Sequence, residues 1–150
     1  MYQRILVPID GSSTALKGLT EALQLARVFH ARIKLVHVAS ELSIDPAITP
    51  SVYYEFAAEG RQASGQEALA NAQALAKEQG TDVEVELIEA TGARAADGIV
   101  ATARQWPADL IVMGTHGRRG VRRLALGSDA ELVLRSAPVP VLMVREGADS

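Results

Sequence analysis

The chain has 150 residues, no cysteine, and 15 basic against 18 acidic side chains. That length suits one domain with a core of its own, and the missing cysteines exclude disulfides, thiolate metal sites and cysteine nucleophiles. The slightly negative balance argues against whole-protein attraction to nucleic acid or to an anionic membrane surface.

The apolar stretch within Met1–Gly11 is too short for a signal peptide and closes on Asp10. No run approaches the ~18 apolar residues of a membrane span. The expectation is a soluble cytoplasmic protein, one domain over 1–150 with an ordered core from about 2 to 145, and the absence of cysteine fits a reducing compartment.

Five apolar segments, near 4–9, 32–38, 83–89, 109–113 and 139–145, alternate with four helical patterns, the signature of a parallel α/β sheet. The first strand ends in Val7-Pro8-Ile9-Asp10, where Pro8 is acceptable because pairing is already breaking. Helix one follows the caps Ser12-Ser13 and aligns Leu16, Leu19, Leu23 and Ala26 on one face, with His30 a cation at its C-terminus. The second strand ends at His37-Val38, and His37 in a buried pattern reads as a hydrogen-bonded core histidine before a base.

Helix two should start at Thr49-Pro50 and stop before Gly80, with Gly60 and Gly65 weakening its first turns. Tyr53, Tyr54 and Phe56, half of the chain's six aromatic residues, read as packing or dimer surface ahead of a nucleotide lid. Val83-Glu84-Val85-Glu86-Leu87 alternates as a half-exposed strand does. Helix three buries Ala96, Ile99, Val100 and Ala103 and stops at Trp106-Pro107, because the residue before proline leaves the helical region. Leu110-Ile111-Val112-Met113 is a continuous apolar run, as in a strand buried on both faces. Helix four runs from Ser128 to about Ser136, closed by Pro138.

Pro140 is tolerated mainly where its missing N–H faces no neighbour, which with the alternating third segment makes strands three and five the edges. An open sheet of order 3-2-1-4-5 follows, with right-handed crossovers placing helices on both faces. The order reverses between strands one and four, opening a crevice at their C-terminal ends, where Asp10 and Gly114 stand.

A second line meets there. Gly114-Thr115-His116-Gly117, nine further residues and then Gly127-Ser128 join the fourth strand to a helix start. Glycines let backbone N–H groups approach an anion, and a helix N-terminus favours negative charge. Arg118, Arg119, Arg122 and Arg123 lie between with no acid, suiting a polyphosphate, and Arg118 is the one expected to touch it.

On these residues the chain resembles the universal stress protein family, from Ile5 to Arg145. The motifs are Val7-Pro8-Ile9-Asp10, His37-Val38, Met113-Gly114-Thr115-His116-Gly117, and Leu126-Gly127-Ser128 followed by Ala137-Pro138-Val139-Pro140-Val141. The glycine spacing matches every position of the family's ATP-binding branch. The resemblance implies an adenine nucleotide alpha hydrolase-like fold. It places Pro8, Ile9 and Asp10 against ribose and base, Val38 with backbone groups on adenine, and Met113 beside the nucleotide. Gly114, Gly117, Gly127 and Ser128 would hold the phosphates of ATP, with Mg2+. It further implies a homodimer through strand five, covering an apolar edge of Val139, Val141, Leu142, Met143 and Val144.

Each residue also has a plainer reading. Ser128-Asp129-Ala130-Glu131 forms a capping box that alone would explain the serine, and Asp129 and Glu131 put negative charge near the phosphates. Asp10 could cap the turn through Ser12 or Ser13. His116 lies inside the loop but has no recognisable triad partner. No Gly-Lys pair makes a Walker loop, no two glycines are two apart as in a Rossmann fingerprint, and Asp10-Gly11-Ser12-Ser13-Thr14 lacks the acid of a pyrophosphatase-type ligase loop. No second carboxylate is conspicuous beside Asp10 to hold magnesium. The expectation is a nucleotide-responsive regulatory protein with slow ATP hydrolysis at most; a slow ATPase and a nucleotide-free interaction module are the alternatives.

Overall fold

The computed structural model describes residues 1–40, 51–90, 93–115 and 126–146, and for 51–58 the helix alone. The elements run β1 (Arg4–Pro8), α1 (Ser13–Phe29), β2 (Arg32–Ser40), α2 (Ser51–Glu78), β3 (Glu84–Ala90), α3 (Ala95–Gln105), β4 (Leu110–Gly114), α4 (Ser128–Ser136) and β5 (Val141–Val144). The five strands form one sheet in the order β3-β2-β1-β4-β5, every pair parallel. The expected order and the edge positions of β3 and β5 therefore hold.

Strand alternation divides the core between two faces. Ile5, Val7, Leu35, Leu110 and Val112 meet α1 and α2, whose buried stripes include Leu19, Leu23, Leu69 and Ala72. Leu6, Val36, Ile111 and Met113 meet α3 and α4 through Ile99, Ala103, Ala130 and Val133. Strands buried on both faces need apolar residues at every position, which is why β1 and β4 read as uninterrupted runs. Through the entry to β3 and along it, the alternation sends Val83 and Leu87 to the first face. Glu84 and Glu86 stand on the other, paired with Arg32 at 2.9 Å and Lys34 at 2.7 Å.

The helix ends follow local chemistry. Ser12 Oγ accepts the Ala15 N–H at 3.1 Å, capping α1, and His30 closes that helix in the left-handed region with φ 56. Helix α2 continues through both of its internal glycines, and Gly65 has a packing reason. A Cβ there would stand 2.5 Å from His37 Cδ2 and 2.9 Å from Leu87 Cδ1, so only glycine lets the helix lie this close to β2 and β3.

Strand five is shorter than expected, beginning at Val141 and ending at Val144. The placement of Pro140 also needs correction. Its carbonyl accepts the Ile111 N–H at 3.0 Å, so this residue faces β4 and not the open side. It is tolerated because it precedes the paired residues, at the point where a strand can begin without a donor. No helix among the described residues is long and apolar enough to cross a membrane.

Candidate functional site

The register of β1 on β4 pairs Leu6 with Ile111, and carried forward it brings Ile9 level with Gly114 at the carboxyl edge of the sheet. The two halves of the sequence prediction therefore meet at the reversal of strand order. Pro8 closes β1, and Ile9 donates its N–H to Val36 O at 2.8 Å with its side chain buried in the core. The chain then turns sharply. Gly11 has φ 86, and Asp10 Oδ1 accepts both the N–H of Ser12 at 2.9 Å and its hydroxyl at 2.5 Å. The turn-capping reading of Asp10 is thus real, but it engages one carboxylate oxygen; Oδ2 has no hydrogen bond to another described residue.

Val38 lies on β2 across this corner. Residues 32, 34, 36 and 38 turn their N–H and C=O groups toward β1, as the bonds from Arg32 N–H to Gln3 O and from Ile9 N–H to Val36 O show. Beyond Ile9 there is no β1 left to pair with. The N–H and C=O of Val38 consequently face the crevice with no backbone partner among the described residues.

On the other side, Met113 is buried among the α3 and α4 residues, and Gly114 ends β4 against the first turn of α1. A Cβ on Gly114 would lie 2.7 Å from Thr14 Cγ2 and 2.9 Å from the Thr14 carbonyl carbon. Glycine is therefore required here for packing, whatever else it contacts. Nothing in the sequence pattern pointed to Thr14.

Thr115 is the residue that sequence reasoning passed over. Its N–H donates to Val144 O at 3.0 Å and its carbonyl accepts the Gly127 N–H at 2.8 Å, so one residue joins the end of β4 to β5 and to the start of α4. Its hydroxyl is buried with no hydrogen-bond partner among the described residues. The signal available was its position inside the Gly114 to Gly117 motif.

Helix α4 begins one residue earlier than the capping-box reading requires. Gly127 is the N-cap and makes no side-chain cap bond, while Ser128 is already helical and exposed. The expected serine cap is therefore corrected: the Ser128 hydroxyl is not spent on its own helix. The acids of this first turn are also engaged elsewhere. Asp129 Oδ1 accepts the Ala96 N–H of α3 at 3.3 Å, and Glu131 pairs with Arg135 at 2.9 Å. The Ala96 amide is neutral and leaves the Asp129 charge in place, so of the two acids only Glu131 has a cationic partner among the described residues.

Helix α1 has its Ser12 cap, and α3 has Asp97 accepting the Arg94 N–H at 3.1 Å together with Asp129. The leading amides of α4 have no such side chain among the described residues. Gly117, Arg118 and His116, with the other three arginines, lie outside the described residues, as do the side chains of Tyr53, Tyr54 and Phe56. Among the described residues no group of three histidines or acids gathers as a metal site.

The model of the universal stress protein family matches residues 1–145. A universal stress protein of Methanocaldococcus jannaschii is 35% identical over 146 residues, spanning 97% of this chain and 84% of that one. Among solved structures, a protein of the same family from Burkholderia pseudomallei is 36% identical, with a TM-score of 0.74 over 95% of this chain and 96% of that one. A universal stress protein crystallised in complex with cAMP is 26% identical, with a TM-score of 0.69 over 95% and 97%.

Proposed function

This chain belongs to the universal stress protein family, and from that premise we propose that it binds an adenine nucleotide, ATP with Mg2+, in the crevice between β1 and β4. In this reading the protein is a cytoplasmic homodimer whose regulatory state in stress resistance responds to the bound nucleotide. The observation that carries the reading is the open start of α4. Gly127 caps α4 without a side chain, the first amides have no side-chain cap among the described residues, and the Ser128 hydroxyl is not spent on its own helix. Such a terminus favours phosphate through its free N–H groups and its dipole.

The remaining assignments follow from placement. The free N–H and C=O of Val38 suit the donor and acceptor edge of adenine. Asp10 Oδ2 suits ribose hydroxyls, with Pro8 and the main chain of Ile9 and Met113 bordering the nucleotide, since the Ile9 and Met113 side chains are buried in the core. Gly114, Gly117 and Gly127 would carry the phosphate chain, with Arg118 its cation. Magnesium would arrive with the nucleotide, held by phosphate oxygens and water, since no protein cluster is available for it among the described residues. A related universal stress protein bound to cAMP supports the adenine part of this reading.

The test is direct. The purified protein is denatured with acid and its nucleotide content identified by chromatography. The emptied protein is then titrated calorimetrically with magnesium and ATP. Co-purified ATP, or a saturable heat with one site per chain, is the expected result. No nucleotide and no heat would leave α4 as an ordinary helix start and overturn the proposal. A hydrolysis assay on the loaded protein separates a switch from a slow ATPase.

A further inference from the structure

The corner where β1 ends contains an exchange of hydrogen-bond partners. In a parallel ladder the bond from Ile9 N–H to Val36 O is followed by one from the N–H of Val38 to the carbonyl of Ile9. That next bond is not made. The Ile9 carbonyl is instead 2.7 Å from His37 Nδ1. A carbonyl oxygen only accepts, so Nδ1 carries the hydrogen and donates it.

We infer that His37 is a positioning residue: by taking the Ile9 carbonyl it stops the sheet from zipping one step further and keeps the N–H and C=O of Val38 free for an adenine edge. The inference rests on the adenine nucleotide reading for its ligand but on the β1–β2 hydrogen bonds for its mechanism. Without the imidazole, the Ile9 carbonyl would need another donor, because a half-buried acceptor left unpaired costs free energy. The Val38 N–H is the nearest donor in register. Pairing would satisfy both groups and remove the donor that adenine uses.

The imidazole is itself held from the α2 side. Gly65 lies against Cδ2 and Nε2, and a Cβ there would stand 2.5 Å and 2.9 Å from those atoms. The absent Cβ at Gly65 thus leaves the space that the ring fills while its Nδ1 reaches Ile9. A substitution at Gly65, on a helix with no other assigned part in the site, is expected to act through His37.

The test uses His37→Leu, which removes the donor, and His37→Asn, whose amide nitrogen can replace Nδ1. Amide hydrogen exchange at Val38, measured on the nucleotide-free protein, needs no ligand. Rapid exchange is expected in the parent and in His37→Asn, and protection in His37→Leu. Titration with magnesium and ATP or GTP supplies the second readout. His37→Leu should weaken ATP about tenfold, the equivalent of one hydrogen bond, and lose preference over GTP, whereas His37→Asn should retain both. Gly65→Ala should follow His37→Leu in direction. Equal exchange at Val38 in all three proteins, or unchanged ATP preference in a folded His37→Leu, would overturn the inference. Expected exchange behaviour in a parent protein that binds no ATP would instead retain the His37 device and reject the nucleotide reading.

Discussion

At the scale of single residues, the two glycines of the phosphate motif that the structure describes are not equivalent tests of function. Gly114 is confined by Thr14, so Gly114→Ala would force an overpacked contact and destabilise the fold by about 1–3 kcal/mol, obscuring any loss of ligand. Gly127 is the N-cap of α4, where a side chain would stand at the proposed phosphate position. Gly127→Val is expected to abolish the calorimetric ATP signal in a protein that still folds, with a loss of about 1 kcal/mol from the poorer N-cap; normal ATP binding by this variant would displace the site. At the opposite end of α1, His30 is the one non-glycine with positive φ among the described residues. Glycine relieves that strain, so His30→Gly should stabilise by up to about 1 kcal/mol in urea denaturation. The sequence made the glycine spacing and the serine visible, but not which residue would cap. Gly127 and Ser128 are both acceptable at that position, and a one-residue choice is made by the bond from Gly127 to Thr115, a contact between segments.

At the scale of elements, legibility tracks burial. Strands β1 and β4 are buried on both faces and announce themselves as apolar runs, and β3 announces itself by alternation. The placement of α2 was not legible, because its contact with the sheet depends on an absent side chain at Gly65 and on small residues such as Ala72 and Ala76. The entry to β1 depends on a long-range contact of the same kind. Asp109, just before β4, accepts the Gln3 N–H through Oδ2 at 2.8 Å and the Arg4 N–H through Oδ1 at 3.0 Å, and its own N–H donates to Arg4 O at 2.9 Å. Asp109→Ala leaves two strand amides without their acceptor and is expected to cost about 1–2 kcal/mol, read as a lower urea midpoint with an unchanged slope. An unchanged midpoint would mean that water replaces the carboxylate at no cost. The surface pair of Arg32 with Glu84 is exposed on both sides and should contribute little by comparison.

At the scale of the molecule, the proposed dimer turns on the outer edge of β5. Val139, Val141 and Met143 pack half-buried against the α3 and α4 side, and Val144 against the α1 side, leaving Leu142 as the exposed apolar residue of the strand. The edge is therefore less bare in side chains than the sequence suggested. Its backbone is open, however, because Pro140 and Val144 direct their carbonyls to β4 and the groups of Val141 and Met143 point away. Val141→Asp would disturb the core as well as a partner, so Met143→Pro is the sharper variant: it removes an outward N–H while sparing the β4 ladder. Sedimentation of the folded variant as a monomer, with the parent a dimer, is the expected outcome; an undiminished dimer would put the interface elsewhere. The sheet order was legible since connection rules leave few alternatives, whereas a partner surface leaves no periodic trace in a single chain.

The bond from Gly127 N–H to Thr115 O has an evolutionary consequence. It fastens the two ends of the intervening segment to each other and to the sheet, so what lies between them can be exchanged like a cassette. Because the entropy of closing a loop grows only slowly with its length, insertions between Thr115 and Gly127 should be tolerated by the fold. Selection can then rewrite ligand preference there without renegotiating the architecture.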